Sequence, residues 1–103
     1  MPKVAMIAKL TAADGKREEL AAVLEKIFPA VEQEDGTEAY ILNEDLGDDN
    51  VLWFYELYRD NDALGAHGSS DAMKEMLGGL SGLVGAAPEM HMMLPRRAKG
   101  LAI

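Results

Sequence analysis

The chain has 103 residues, with 10 Lys and Arg against 18 Asp and Glu, a net charge of −8, and no Cys. That charge excludes a phosphate-tracking nucleic-acid surface and an anchor on anionic membranes, since both need clustered cations. The missing thiols exclude disulfides, thiolate metal sites, iron–sulfur clusters and cysteine nucleophiles together. At 49% hydrophobic residues, with no apolar run of membrane-spanning length and no signal-peptide pattern, the expectation is one globular cytoplasmic domain. Its core is thin enough that pairing with a second copy would add useful burial.

Lys3–Leu10 reads as a strand, with Val4, Met6, Ala8 and Leu10 on one face and Ala5, Ile7 and Lys9 on the other. Thr11–Gly15 is a turn in which Asp14 is placed to cap the next helix. Over Lys16–Gln33, Leu20, Val23, Leu24, Ile27, Phe28 and Val31 repeat at helical spacing, and Pro29 is expected to kink the helix or loosen its last turns. Asp35-Gly36 ends it, with Gly36 suited to a positive φ. Thr37–Asp45 is a second strand, with Ala39, Ile41 and Asn43 opposite Tyr40, Leu42 and Glu44. A turn-rich connection leads to a third strand, Val51–Tyr58, whose Val51, Trp53, Tyr55 and Leu57 point away from Leu52, Phe54, Glu56 and Tyr58.

Asp60 or Asn61 caps a short helix through His67, and Ser69 or Ser70 caps another. The second carries a stripe of Met73, Met76, Leu77, Leu80, Leu83 and Val84, and its glycine-rich later part is expected to be irregular. Pro88–Leu94 is a final strand, followed by a basic and then apolar tail. The order β-α-β-β-α-β is the ferredoxin-like α+β plan in one domain, residues 1–103, with a core of about 3–94 and a tail of 95–103.

Candidate chemistry concentrates in Val51–His67. Metal chemistry has little to use: the two histidines, His67 and His91, stand in no ligand spacing, and Asp48-Asp49-Asn50 lacks the pattern of a calcium loop. His67 is the leading general base, because an ordinary imidazole is largely neutral at pH 7; the competing reading is a His satisfied by backbone at the end of its helix. Trp53 and Tyr55 share a face and suit stacking on a flat aromatic, or equally a core or an interface. Glu56, among apolar neighbours, needs a partner; it suits orienting His67 or pairing with an Arg. Asn43 fits a substrate carbonyl or an edge backbone group. Met73 and Met76 fit an adaptable core or a pocket for flat ligands. Tyr40, Tyr58 and His91 are weaker candidates.

The opening VAMIAKLTAADGKREEL, the helix end EQEDGTEAY and the block WFYELYRDNDALGAHGSSDAMKEM resemble the antibiotic biosynthesis monooxygenase domain, roughly from Lys3 to Leu94. Its strongest piece is the run matched by Phe54, Tyr55, Glu56, Tyr58, Ala63 and His67. The resemblance implies a dimeric α+β barrel in which two sheets meet face to face, with a ligand cavity between sheet and helices. It implies oxygenation of a quinol or polycyclic phenol by O2 with no cofactor, metal, flavin or haem. Others of the same fold degrade haem or act on small signalling molecules as isomerases. The haem-degrading pattern is not matched, since the first strand has no Asn and the short helix no Trp. Three activities therefore stay open: a cofactor-independent monooxygenase with His67 as base, a proton-transfer enzyme on a small carbonyl compound, and a dimeric binder of a small hydrophobic ligand.

Overall fold

The computed structural model describes residues 2–103. The elements run β1 (Val4–Thr11), α1 (Arg17–Glu25), α2 (Phe28–Val31), β2 (Thr37–Glu44), β3 (Val51–Tyr58), α3 (Asn61–Gly68), α4 (Asp71–Gly78) and β4 (Glu89–Met93). The four strands form one sheet in the order β2-β3-β1-β4, with every pairing antiparallel. This is the ferredoxin-like α+β fold.

The register decides which residues share a face. Opposed residues on neighbouring strands project to the same side, and Val4, Met6, Ala8 and Leu10 of β1 oppose Tyr58, Glu56, Phe54 and Leu52 of β3. On β2, Tyr40 and Leu42 oppose Glu56 and Phe54. These residues form the face that the helices cover. There Ala8, Leu10, Leu52 and Phe54 pack with Leu20, Ala21 and Leu24 of α1, with Ile27, Val31 and Met76, in one buried cluster. Ala5, Ile7, Ala39, Ile41, Asn43, Trp53, Tyr55, Leu57, His91 and Met93 occupy the other face.

Four local expectations meet physical reasons. The helix expected over residues 16–33 divides at Lys26-Ile27, because Pro29 has no N–H for the Glu25 carbonyl and its ring crowds that carbonyl. Asp14 does not cap α1: the N-cap is Lys16 without a side-chain bond, and the Asp14 carboxylate instead accepts from Asn50 Nδ2 at 3.1 Å. Gly36 is not in the positive-φ region; it is small because a Cβ there would stand 2.5 Å from the Ala63 Cβ, where β2 starts against α3. The second helical stripe stops at Gly78, and Leu80, Leu83 and Val84 reach the core from turns, with Val84 bridging Ala12.

Candidate active site

α3 begins where the Asp60 carboxylate accepts from Ala63 N at 2.8 Å, an N-cap that fixes where His67 falls about two helical turns later. The imidazole is only 2% exposed. Its Nδ1 lies 2.8 Å from Glu34 Oε1, on the turn after α2, and the same oxygen accepts from Thr37 Oγ1 at 2.7 Å. An ionised carboxylate only accepts, so Nδ1 carries the hydrogen and a neutral ring leaves its lone pair on Nε2. That Nε2 is buried and has no hydrogen-bond partner. The polar atom facing it is Glu56 Oε1, 3.9 Å away, beyond hydrogen-bond reach.

Glu56 is itself 3% exposed. Tyr58, fully buried, donates its hydroxyl to Glu56 Oε1. Burial pushes the Glu56 carboxyl above its usual range, opposed by the Tyr58 hydrogen bond and the nearby imidazole and reinforced by Glu34. The Tyr40 and Tyr58 hydroxyls are also pushed up, first by burial and then by the surrounding carboxylates.

Aromatic rings enclose the imidazole. Tyr40 lies 5.1 Å and Tyr58 5.4 Å from it between ring centroids. Behind Tyr40 stand Phe54 at 4.7 Å and Phe28 at 5.2 Å. Two hollows adjoin this cluster. One, of ≈ 420 Å³, reaches His67 itself and is lined by Glu34, Gly36, Thr37, Arg59, Ala63 and His67, among others. The second, of ≈ 480 Å³, is lined by Glu25, Phe28, Tyr40, Ile41 and Leu42. Tyr40 belongs to the wall of the second and touches His67, so it stands between the base and the more aromatic hollow. Both volumes fall within the roughly 300–1,000 Å³ of small-molecule sites.

Of the residues singled out from sequence, the structure brings Glu56 and His67 together. It does not bring Trp53, Tyr55 or Asn43 to them. Consecutive strand residues point to opposite faces, so the alternation that buries Glu56 beside His67 puts Trp53 and Tyr55 on the helix-free side. There Trp53 Nε1 donates to Asp45 Oδ1 at 2.7 Å, the Lys9 ammonium lies 5.8 Å from the indole, and Asn43 Nδ2 donates to the Trp53 carbonyl at 3.1 Å. His91 is on the same side, opposite Ile7. Met76 is core and Met73 packs against it; neither lines the hollows beside His67. Among the described residues, no three His, Asp or Glu side chains converge to hold a metal ion. The residue the sequence hid is Glu34, whose contact with His67 spans 33 positions and leaves no local pattern.

Residues 3–78 match the antibiotic biosynthesis monooxygenase family. The chain belongs to that family. Among curated proteins none matches the sequence. Solved structures do. A Caulobacter crescentus protein assigned by name to the antibiotic biosynthesis monooxygenases has a TM-score of 0.87 at 24% identity, covering 93% of this chain and 92% of that one. The Pseudomonas aeruginosa protein PA3566 gives 0.85 at 24%, covering 94% and 97%. The Mycobacterium tuberculosis protein Rv0793 gives 0.84 at 26%, covering 93% and 97%. Glu34, Tyr40, Glu56, Tyr58 and His67 all lie within the stretch matched by the monooxygenase family, whereas β4 and the tail lie beyond it. No helix of the described residues is long and apolar enough to cross a membrane.

Proposed function

We propose that this monooxygenase-family chain oxidises a quinol or polycyclic phenol with O2, without a cofactor, using His67 as the general base. The observation that carries the reading is the buried Nε2: it has no partner, while Glu34 holds Nδ1 and so fixes the ring with its lone pair inward. Triplet oxygen reacts slowly with closed-shell molecules, so the substrate must be the reductant. The base takes the hydroxyl proton, and the resulting anion passes one electron to O2. The radical pair recombines at a ring carbon as a hydroperoxide, whose O–O bond then breaks with loss of water. One oxygen atom replaces two hydrogens, the other leaves as water, and the substrate supplies all four electrons. The Phe28, Tyr40, Phe54 and Tyr58 rings suit a flat guest and keep water from the anion.

The test is oxygen uptake by metal-stripped protein with an anthrone or a naphthohydroquinone. The expected result is one O2 consumed per hydroxylated or quinone product, with water as the second product. Uptake no faster than the uncatalysed background, or quantitative hydrogen peroxide, rejects the reading.

The same reading includes a homodimer formed through the helix-free sheet face and a cytoplasmic site of action. Supporting the dimer, Ile41 is 48% and Met93 39% exposed on that face, beside half-buried Ile7, Trp53 and Tyr55. The absence of Cys fits a reducing compartment. Sedimentation equilibrium is expected to return twice the 11.2 kDa chain mass, and Ile41→Asp, midway along the edge strand β2 of that face, to return the single-chain mass. A wild-type protein that sediments as one chain removes the dimer from the proposal.

A further inference from the structure

We infer that Glu56 acts as a carboxylic acid opposite His67 Nε2, and that the two form a two-point site for one hydroxyl of an aromatic alcohol. Nε2 accepts the hydroxyl's proton, and the Glu56 acid donates to its oxygen. The inference deepens the proposed oxygenase reading and adds to it a second catalytic residue.

The gap itself is the first argument. Nε2 and Glu56 Oε1 stand 3.9 Å apart, too far to bond each other. Yet one oxygen between them would reach both at about 2.8 Å, the ordinary hydrogen-bond length. Both side chains are almost wholly buried, and a buried nitrogen left unpaired is costly enough that a ligand group is the natural occupant. The second argument is what surrounds the carboxyl. The titratable groups facing Glu56 are Tyr58 on its own strand, Tyr40 opposite it on β2, His67 on α3 and Glu34 on the turn after α2; on β1 the opposed residue is Met6. Desolvation is the largest influence on the carboxyl and favours the uncharged form; the Tyr58 hydrogen bond and the imidazole oppose it, Glu34 works with it, and the balance lies above the usual carboxylate range. An uncharged acid in a dry site is a strong donor to a developing oxyanion, which a carboxylate would repel.

The step moves one proton and no electrons. The phenolic O–H bond breaks and an N–H bond forms at Nε2. The resulting imidazolium is stabilised by Glu34 on Nδ1, and the phenolate oxygen accepts from the Glu56 acid. Since Nε2 is shielded from solvent, the hydroxyl arrives by displacing a neighbouring ring. Tyr40, half-buried and already part of the adjoining hollow, is the ring placed to yield.

2-Naphthol is the probe, because its binding does not require turnover. Binding is read from the ¹⁵N resonance of His67 Nε2 at neutral pH in the wild type, Glu56→Gln and Glu56→Ala. Gln keeps the shape and an N–H donor but cannot ionise. The expected result is binding within about 3-fold of wild type in Glu56→Gln and at least about 10-fold weaker in Glu56→Ala, the scale of one buried hydrogen bond. The wild type should lose affinity as Glu56 ionises at higher pH, and Glu56→Gln should not. In ¹³C-labelled protein the Glu56 carboxyl should still carry its proton at the neutral pH at which binding is read, above the usual glutamate value of about 4.3. A carboxyl already ionised at neutral pH, undiminished binding in Glu56→Ala, or no naphthol bound to the wild type overturns the inference. Naphthol binding with the expected variant pattern, but no oxygen uptake with any quinol, rejects the oxygenase reading and leaves the two-point site standing.

Discussion

Replacing His67 with Asn is expected to lower quinol turnover about 10²–10⁴-fold, the usual contribution of a positioned general base, while leaving the fold intact. The Asn side-chain amide retains an N–H donor for Glu34, which His67 now serves through Nδ1 at 2.8 Å, but it offers no lone pair of useful basicity where Nε2 sits. His67→Ala should lose as much activity and also stability. It removes a ring packed between Tyr40 and Tyr58 and strips the buried edge of Glu34 of one donor, a combined cost of about 2–4 kcal/mol. Steady-state oxygen uptake and urea unfolding, measured on both variants, separate chemistry from folding. An Asn variant within about 3-fold of wild-type turnover would show that another group takes the proton.

The strands were legible because alternation is a short-range pattern. Within the third strand that alternation already put Glu56 and Tyr58 on one face and Trp53 and Tyr55 on the other; that Tyr40 shares the face of Glu56 needed the register. What misleads is the density of aromatic residues in Val51–Tyr58, which makes one strand look like one site when its two faces serve different surroundings. His67 was legible as a lone imidazole on a short capped helix. Glu34 was not, because only the tertiary path of the turn after α2 brings its carboxylate to Nδ1. Gly36 illustrates the same limit: beside Asp35 it reads as a helix terminator, yet its lack of a side chain answers to Ala63, 27 positions on, whose Cβ an added methyl would meet at 2.5 Å. The early end of α4 followed from Gly78 and Gly79, whereas the return of Val84 to pair with Ala12 needed the finished sheet.

Alkaline solution is expected to unfold the protein cooperatively, with the Tyr40 and Tyr58 hydroxyls ionising only as it does so. Burial raises both hydroxyls above the ordinary tyrosine value, and for Tyr58 the hydrogen bond donated to Glu56 adds to it, since that bond requires the proton. The sign follows from proton counting. Below about pH 10, the unfolded-state value, folded and unfolded chains both hold the two protons and the contribution of these groups to stability is complete. Above it the unfolded chain releases two protons that the folded chain keeps. Stability then falls by up to about 2.7 kcal/mol per pH unit, twice the 1.36 kcal/mol of a single group. A domain at the low end of the usual 5–15 kcal/mol range is exhausted about two units above pH 10. Tyr58→Phe removes one of the two protons from the count, so its alkaline slope should fall to roughly half. At neutral pH the same variant costs about 1–3 kcal/mol, because Glu56 loses a buried donor. Tyrosinate absorbance and far-ultraviolet circular dichroism followed in one titration of a Tyr55→Phe variant, which leaves Tyr40 and Tyr58 as the only tyrosines, decide the matter: the two signals should change together. Ionisation of Tyr40 and Tyr58 near pH 10 with the dichroism unchanged would mean that solvent reaches both hydroxyls in the folded state, and the dry chamber around His67 would have to be abandoned with them.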